Sequence, residues 1–438
     1  MKVAVVGGGW AGLSAAVYLH RYGQDVVVFE AARTLGGRAR STHSPKLKAT
    51  IDNGQHILLG GYSETLKLFH DLGIDPDSRL NRQPFSLQAA DGSFSLSAPP
   101  LPAPFHLLAA LVKAHGLSLK ERIKLAASCW KLRLYEWKTP PGQTVAQWLK
   151  QGRQSAHIVR QFWQPLCLAA LNTPIERACA QLFAYVLRDS LGGASGDSNV
   201  LIPSVDLSDI WAEDLPAQID IRRGRVIKKL IYNDSHTQID NEEFDNVVLA
   251  TNAYSAHRLL ETLPPSETGK RYLGLLEAFE YLPIATITLQ LEHPWNLPYS
   301  MLMLRDNPAK LQFGQWLFDR SAFMQDPTNR KNSSLTVVIS DARALIEHSH
   351  DDIVAAVVTQ IEEQTVRFSA MPKITGHELI CEKRATFAAI PNLQRPTTQT
   401  PWPGIWAAGD WTNTRYPAVL EGAVRSGKHA ATLVTRDF

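Results

Sequence analysis

A glycine loop within the first dozen residues constrains this chain more than any other feature. Residues 7–12 read GGGWAG and hold the spacing G-x-G-x-x-G. Lys2 to Val6 before the loop is a short β-branched run. Leu13 to Arg21 after it has helical spacing of apolar residues, with Gly23 placed as a C-cap. Asp25 to Phe29 reads as a second strand, and Glu30 ends it 18 residues after Gly12. Strand, glycine loop, helix, strand and acid together specify a dinucleotide-binding βαβ unit. Gly7 permits the tight turn, Gly9 lets the backbone approach a pyrophosphate, and Gly12 lets the helix pack on the strand. Trp10 and Ala11 complete the loop, and the helix N-terminus after it offers free N–H groups and a positive dipole end to the phosphates. Glu30 can accept hydrogen bonds from ribose hydroxyls, and its charge disfavours a 2′-phosphate.

The next segment narrows the cofactor. Glu30 leads directly into AARTL and then Gly36, Gly37 and Arg38. The paired glycines allow a close turn, and Arg38 supplies a fixed cation near phosphates. This pattern resembles the FAD-binding amine oxidase and carotenoid desaturase superfamily, so FAD is the expected cofactor. Near the other end, Ile405 to Ala408 reads as a strand, Gly409 and Asp410 follow, and Glu421 to Gly427 opens a helix. The resemblance implies that Asp410 meets the ribityl chain. It also implies that the helix start at Glu421, Gly422 and Ala423 points at the isoalloxazine. Residues 224–230 resemble the strand whose valine, here Val226, meets the adenine, and residues 244–250 read as a strand rejoining the first sheet.

The expected fold is therefore α/β. A discontinuous Rossmann-like FAD-binding domain of the glutathione-reductase type carries an inserted α+β substrate domain. The FAD-binding pieces are 1–75, 205–265 and 376–438, and the substrate-binding pieces are 76–204 and 266–375. A chain of 438 residues with 45% hydrophobic and 20% charged residues has ample material for both cores. A net charge of +3 excludes nucleic-acid binding driven by bulk charge. The four cysteines, Cys129, Cys167, Cys179 and Cys381, form no CxxC pair and no zinc spacing. They read as core thiols in a reducing compartment, and no metal is expected. The N-terminal apolar run is too short for a signal peptide and no uninterrupted apolar stretch would span a bilayer, so a cytoplasmic location is expected.

Within the first substrate piece, helical spacing covers Leu119 to Trp137, with apolar positions at Ile123, Leu125, Ala126, Trp130, Leu134 and Trp137. The second piece predicts strands at Ala285 to Leu291 and Leu335 to Ile339 and a helix from Asp352 to Phe368. Residues 97–137 combine dense apolar positions with Lys113, Lys120, Arg122, Lys124, Lys131 and Arg133. Two readings stay open: a core helix pair with a solvated basic face, or peripheral contact with the inner face of the cytoplasmic membrane.

Several segments resemble one family within the superfamily. Residues 52–62 read DNGQHILLGGY, 162–174 read FWQPLCLAALNTP, and 202–208 read IPSVDLS. YLPIA at 281–285, EKRATF at 382–387 and YPAVLEGAV at 416–424 complete the pattern. Together they resemble the hydroxysqualene dehydroxylases of squalene and hopanoid synthesis over essentially the whole chain. The resemblance implies a polyisoprenoid substrate whose allylic hydroxyl leaves as water and is replaced by hydride from reduced flavin N5. An electron donor that the sequence does not identify must reduce the flavin. Gly54, Gln55 and His56 align with positions beside the flavin ring. His56 is the candidate acid because histidine titrates near neutrality, although a purely hydrogen-bonding role remains open. Gln55 and Tyr416 complete the catalytic set, and Asp189 and Asp206 are weaker acid candidates. The alternatives on the same fold are a carotenoid or phytoene-type desaturase and a flavin amine oxidase. Amine oxidases commonly place an aromatic residue where this chain has Val419.

Overall fold

The computed structural model describes residues 1–233, 236–324 and 333–436. Its first sheet is parallel and has five strands. β1 (Lys2–Val6) lies at its centre, with β2 (Asp25–Glu30) on one side and Asn246–Leu249 on the other. Asp220–Arg223 extends the sheet beyond β2, and Ile405–Ala407 extends it beyond Asn246–Leu249. The central sequences VAVV, VVVF and NVVL are near-continuous apolar runs, as strands covered on both faces require. All three runs are buried.

α1 (Trp10–Arg21) covers one face of this sheet and packs along the terminal helix, Leu420–Arg436. The two helices run close. Ser14 Oγ donates to the Val424 carbonyl at 3.0 Å, and a Cβ at Gly427 would lie 2.1 Å from the Ala11 carbonyl oxygen. This contact brings residues near opposite ends of the chain into one layer.

The second sheet is antiparallel, in the order Met301–Met303, Trp316–Asp319, Ser334–Ser340, Tyr281–Leu291, Ile374–Phe387. The strand expected from Ala285 begins earlier, at Tyr281, and runs through Pro283. Proline cannot donate to a ladder, and the register with Ile374–Phe387 shifts between Leu282 and Ile284, so the proline sits at an irregularity. One sheet face, with Ala285, Ile287 and Leu289, packs with Ile353, Val357 and Ile361 of the helix His350–Gln364. The expected helix over 352–368 is thus the same element shifted toward its N-terminus.

Two further expectations change. Residues 225–230 are not a strand; the strand is Asp220–Arg223, and it ends where Gly224 takes φ +69°. The helix expected to reach Trp137 stops at Leu134, because Glu136 and Trp137 adopt positive φ of 53° and 60°. Of its expected apolar positions, only Leu125 is buried; Ile123, Trp130 and Leu134 face outward. No helix among the described residues is long and apolar enough to cross a membrane.

The Gly427 contact is testable. Replacing Gly427 with Val drives a branched side chain into the α1 backbone. It should lower stability by about 3 kcal/mol, the upper end of overpacking costs. A urea unfolding midpoint at the wild-type value would show that the two helices part at no cost.

Candidate active site

A cavity of about 810 Å³ runs between the two sheets, near the upper end of the roughly 300–1,000 Å³ usual for small-molecule sites. Its two ends differ in chemistry. One is built from glycine loops and charges, and the other from apolar helix and sheet faces.

The polar end begins at β1. Gly7 has φ +117°, a value closed to side-chain-bearing residues, and turns the chain from β1 into α1. Gly12 does not line the cavity. A Cβ there would lie 1.9 Å from the Gly7 carbonyl oxygen, so its place is in the packing of helix on strand. Gly7, Gly9, Trp10 and Ala11 do line the cavity. α1 starts with no side-chain cap and no acid in its first turn. No side chain competes for its first-turn N–H donors, which suits a pyrophosphate. The Glu30 carboxylate accepts the Gly8 N–H at 2.6 Å and the Ala32 N–H at 2.7 Å, and it faces the cavity with lone pairs to spare for ribose hydroxyls. The Gly36 N–H donates to the Gly8 carbonyl at 2.9 Å, which draws the second glycine pair against the first. Val226 lines this end from the segment after Gly224. These donors, acceptors and glycine cradles fit FAD.

Arg38 and Asp410 meet across the cavity, with Nη2 to Oδ2 at 2.7 Å, and Arg38 Nη1 donates to the Ala385 carbonyl at 2.6 Å. Burial disfavours the guanidinium charge, but Asp410, Tyr281 and Glu382 together outweigh it and hold the Arg38 pKa above its ordinary value. Asp410 is positioned by a residue that motif reading missed. The buried Arg395 guanidinium donates to the carbonyls of Asp410, Thr412, Tyr416 and Trp411, the last at 3.3 Å. Burial pulls its pKa down to about 10. A lone arginine beside a proline carries no motif, so its role appears only in the fold.

His56, Gln55 and Gly54 line the junction of the two ends. His56 Nδ1 lies 2.9 Å from the Gly54 carbonyl oxygen. A carbonyl only accepts, so Nδ1 carries a proton and Nε2 is the ring nitrogen left for chemistry. Burial pushes the His56 pKa down, against the Gly54 carbonyl, which favours the charged ring. Gln55 Nε2 donates to its neighbour's carbonyl, that of His56, at 3.2 Å. Asp52, which opens the same motif, serves the fold. It accepts from the Ser41 hydroxyl at 2.8 Å and the Leu207 N–H at 3.0 Å, and it pairs with Arg320.

The weaker acid candidates lie elsewhere. Asp206 pairs with Arg320 at 2.6 Å, and Asp189 is bound by Arg188 and by the Tyr416 hydroxyl. Neither lines the cavity, and neither does Tyr416. Burial and Asp189 push the Tyr416 pKa up, and Arg425 stacks on its ring. From that segment the cavity is lined instead by Ala418, Val419, Leu420 and Ala423. Glu421 and Gly422 are absent from the lining. Glu421 is fully buried, and its carboxylate caps α2 (Ser63–Asp71) by accepting from the Glu64 and Thr65 N–H groups at 3.1 and 3.0 Å. Two residues the sequence quoted without a role do line the cavity: Tyr62, at the end of the DNGQH motif, and Glu382. The four cysteines do not, and burial pushes the Cys129 thiol up to about 12.

The other end is apolar. Leu166 and Ala169 come from the helix Gln164–Leu171, Val186 and Leu187 from the helix Ala180–Leu191, and Trp316 and Phe318 from the second sheet. Alternation along Tyr281–Leu291 turns Ile284 and Thr286 into the cavity while Ala285 and Ile287 join the opposite core.

The comparisons agree with this geometry. The family described as flavin containing amine oxidoreductase matches residues 10–435. A hydroxysqualene dehydroxylase of Zymomonas mobilis is 27% identical over 98% of each chain, and one of Rhodopseudomonas palustris is 29% identical over 99% of this chain and 98% of its own. A 15-cis-phytoene desaturase of Glycine max is 24% identical over 100% of this chain and 80% of its own. Among solved structures, a putrescine oxidase superposes with a TM-score of 0.71 at 15% identity, covering 100% of this chain and 99% of its own, and so shares the fold.

The buried carboxylate separates structure from cofactor binding. Glu421→Ala strands two helix N–H groups and the Arg425 charge, and should cost about 2 kcal/mol of unfolding free energy. The flavin absorbance of the folded protein should persist. Loss of flavin with unchanged stability would instead place Glu421 in the cofactor site.

Proposed function

The chain belongs to the flavin-containing amine oxidoreductase family, and from that premise we propose that it removes the hydroxyl of hydroxysqualene to give squalene. It is an FAD-dependent oxidoreductase. One observation carries the finer reading: a cavity that joins a dinucleotide cradle to a long apolar chamber, in a chain similar to hydroxysqualene dehydroxylases over nearly its full length.

The first-turn N–H groups of α1 would hold the pyrophosphate, Glu30 the ribose, and Arg38 with Asp410 the middle of the cofactor. FAD, when bound and reduced, supplies the hydride that replaces the lost hydroxyl. The chain's own residues do the rest. The apolar chamber excludes water, which protects an allylic cation from capture. The Gly54 carbonyl fixes Nδ1–H of His56, so the proton for the departing hydroxyl is delivered from Nε2. Burial makes the His56 imidazolium scarcer and a stronger acid. Tyr62 and Glu382 line the same cavity.

Two other reactions use this fold. Amine oxidation fits less well, because Val419 faces the cavity where amine oxidases commonly place an aromatic residue. Desaturation of a polyisoprenoid would use the same chamber, and the phytoene desaturase similarity is lower than that of the two dehydroxylases.

Two measurements test the reading. Anaerobic, pre-reduced holoenzyme should convert hydroxysqualene to squalene, detected by mass spectrometry; no squalene under those conditions overturns the substrate assignment. The single-turnover rate should also rise as pH falls through the lowered His56 pKa, below the ordinary histidine value of about 6.5, because the protonated form is the active one. His56→Ala should lose that dependence and at least about 100-fold in rate, the usual worth of a general acid. A flat pH profile in the wild type assigns the proton to another group.

A further inference from the structure

The exposed face of α3 (Phe105–Lys113) and α4 (Leu119–Leu134) is apolar where a soluble surface would be polar. On α4, Leu119, Ile123, Trp130 and Leu134 fall on one stripe at 3.6 residues per turn, and all are exposed, Trp130 to 68%. The opposite face is the one that packs inward, through Leu125 and Leu132. On α3, Phe105, Leu108 and Val112 make a second outward stripe, with Val112 71% exposed, and the two helices contact each other. Core packing and outward apolarity thus occupy different faces of the same helix.

Charge frames the stripe. Lys120, Lys124 and Lys131 follow one residue after its members, which places them along one edge. Arg122 and Arg133 follow three residues after, along the other. Residues 97–137 hold six cations against two carboxylates. Those two are occupied elsewhere, Glu121 by Ser118, Ser155 and His157, and Glu136 by Lys138. Among the described residues none of the six cations pairs with a carboxylate. Arg122, Lys124 and Arg133 donate only to backbone carbonyls, so the rows keep their net positive charge. An apolar strip between two such rows complements a surface that is apolar within and anionic at its headgroups.

A groove lies beside this face. It measures about 480 Å³ and is lined by Pro99 to Pro102, His106 of α3, and Ser195, Gly196, Ser198 and Asn199. Phe85 and Ser198 line both this groove and the main cavity, so the two spaces share a wall. His106 is only 2% exposed, and its ring makes no well-formed hydrogen bond, with only the Pro102 carbonyl acting on it as an acceptor. The ring keeps unused hydrogen-bonding capacity, which an alcohol passing through the groove can take up.

We propose that α3 and α4 seat on an anionic lipid bilayer and that the groove between Pro99 and Asn199 is the mouth through which the polyisoprenoid alcohol passes from that bilayer to the cavity. The docking half stands on the surface alone, and the passage half rests on the lipid-substrate reading.

Vesicle flotation of the full-length holoprotein separates the two. Binding to phosphatidylcholine vesicles containing about one-third phosphatidylglycerol should exceed binding to pure phosphatidylcholine by at least about tenfold, and should weaken at high salt. Trp130→Glu with Leu134→Glu, and separately Lys120→Glu with Lys124→Glu and Lys131→Glu, should each lower binding at least about tenfold while flavin absorbance and Tm hold. No preference for anionic vesicles, or binding indifferent to both sets of changes, overturns docking. So does a stable dimer that Trp130→Glu dissolves in the absence of vesicle binding. For the passage, Ser198→Trp at the shared wall should cut kcat/KM for vesicle-borne substrate about tenfold with flavin retained, and Leu101→Trp at the rim provides the same test if the first variant misfolds. Unchanged kcat/KM in a folded variant overturns the passage. Squalene formed from detergent-dispersed substrate without vesicle binding sinks docking and leaves the function standing. Vesicle binding without any squalene does the reverse.

Discussion

The Arg38–Asp410 pair joins residues 372 positions apart in sequence, and much of the site depends on it. One guanidinium holds three parts of the molecule. It belongs to the glycine turn after β2, it bonds the carboxylate after the last strand of the parallel sheet, and it bonds the Ala385 carbonyl on the edge strand of the antiparallel sheet. A buried ion pair is a poor source of net stability, because desolvation offsets most of its attraction. Its value lies in specificity. A registry that separated these segments would leave the buried Asp410 carboxylate without its partner. Arg395 acts in the same sense from the other side by gathering the carbonyls of the loop that carries Asp410. The cofactor end of the cavity is therefore shaped before any ligand arrives, which lowers the ordering cost of binding.

The cofactor end was legible in the sequence because its chemistry is local. A phosphate cradle needs a strand, a glycine turn and a helix start in immediate succession, and a single stretch of chain can announce all three. Glu30 and Arg38 lie close enough to the loop to be read with it. The terminal segment shows the limit. Leu420–Arg436 was readable as a helix, but the direction of each side chain around its first turn depends on what packs against it. Glu421 turns to cap α2 and Tyr416 turns to Asp189, each meeting a partner far away in sequence. Ala418 and Val419 are left to face the cavity. Arg395, Tyr62 and Glu382 acquire their places in the same way, through contacts no local pattern encodes. The boundaries missed at Trp137 and in 225–230 have a similar cause, since positive φ at Glu136, Trp137 and Gly224 ends elements that periodicity alone would continue.

His56 shows how one backbone contact can set a side chain's chemistry. The Gly54 carbonyl two residues away claims Nδ1–H, so the ring has a single orientation and a single free nitrogen. Burial then lowers the basicity of that nitrogen. In an apolar chamber this combination suits a group that must give up a proton and then not compete for the cation it helped to create. A carboxylate in the same place would remain an anion beside that cation and could trap it as an ester. Asp52 and Asp206 are paired with Arg320 and do not line the cavity.

If the groove is the lipid path proposed above, the charge around it suits the polarity of such a substrate. A polyisoprenoid alcohol is nearly insoluble in water and carries one neutral polar group. Its transfer is least costly along a route that is apolar throughout and offers that group occasional neutral partners. The cations of α3 and α4 stand outside the route, where lipid headgroups would meet them. Inside it, the prolines of the 99–102 segment present rings and no N–H donors, and burial keeps His106 on the neutral side of its titration. A diphosphate would find no compensating charge in that passage and would pay the full cost of desolvation. On the proposed reading, such a path would favour the alcohol over a charged ester before either reached His56, through its polarity rather than through contacts at the reacting carbon.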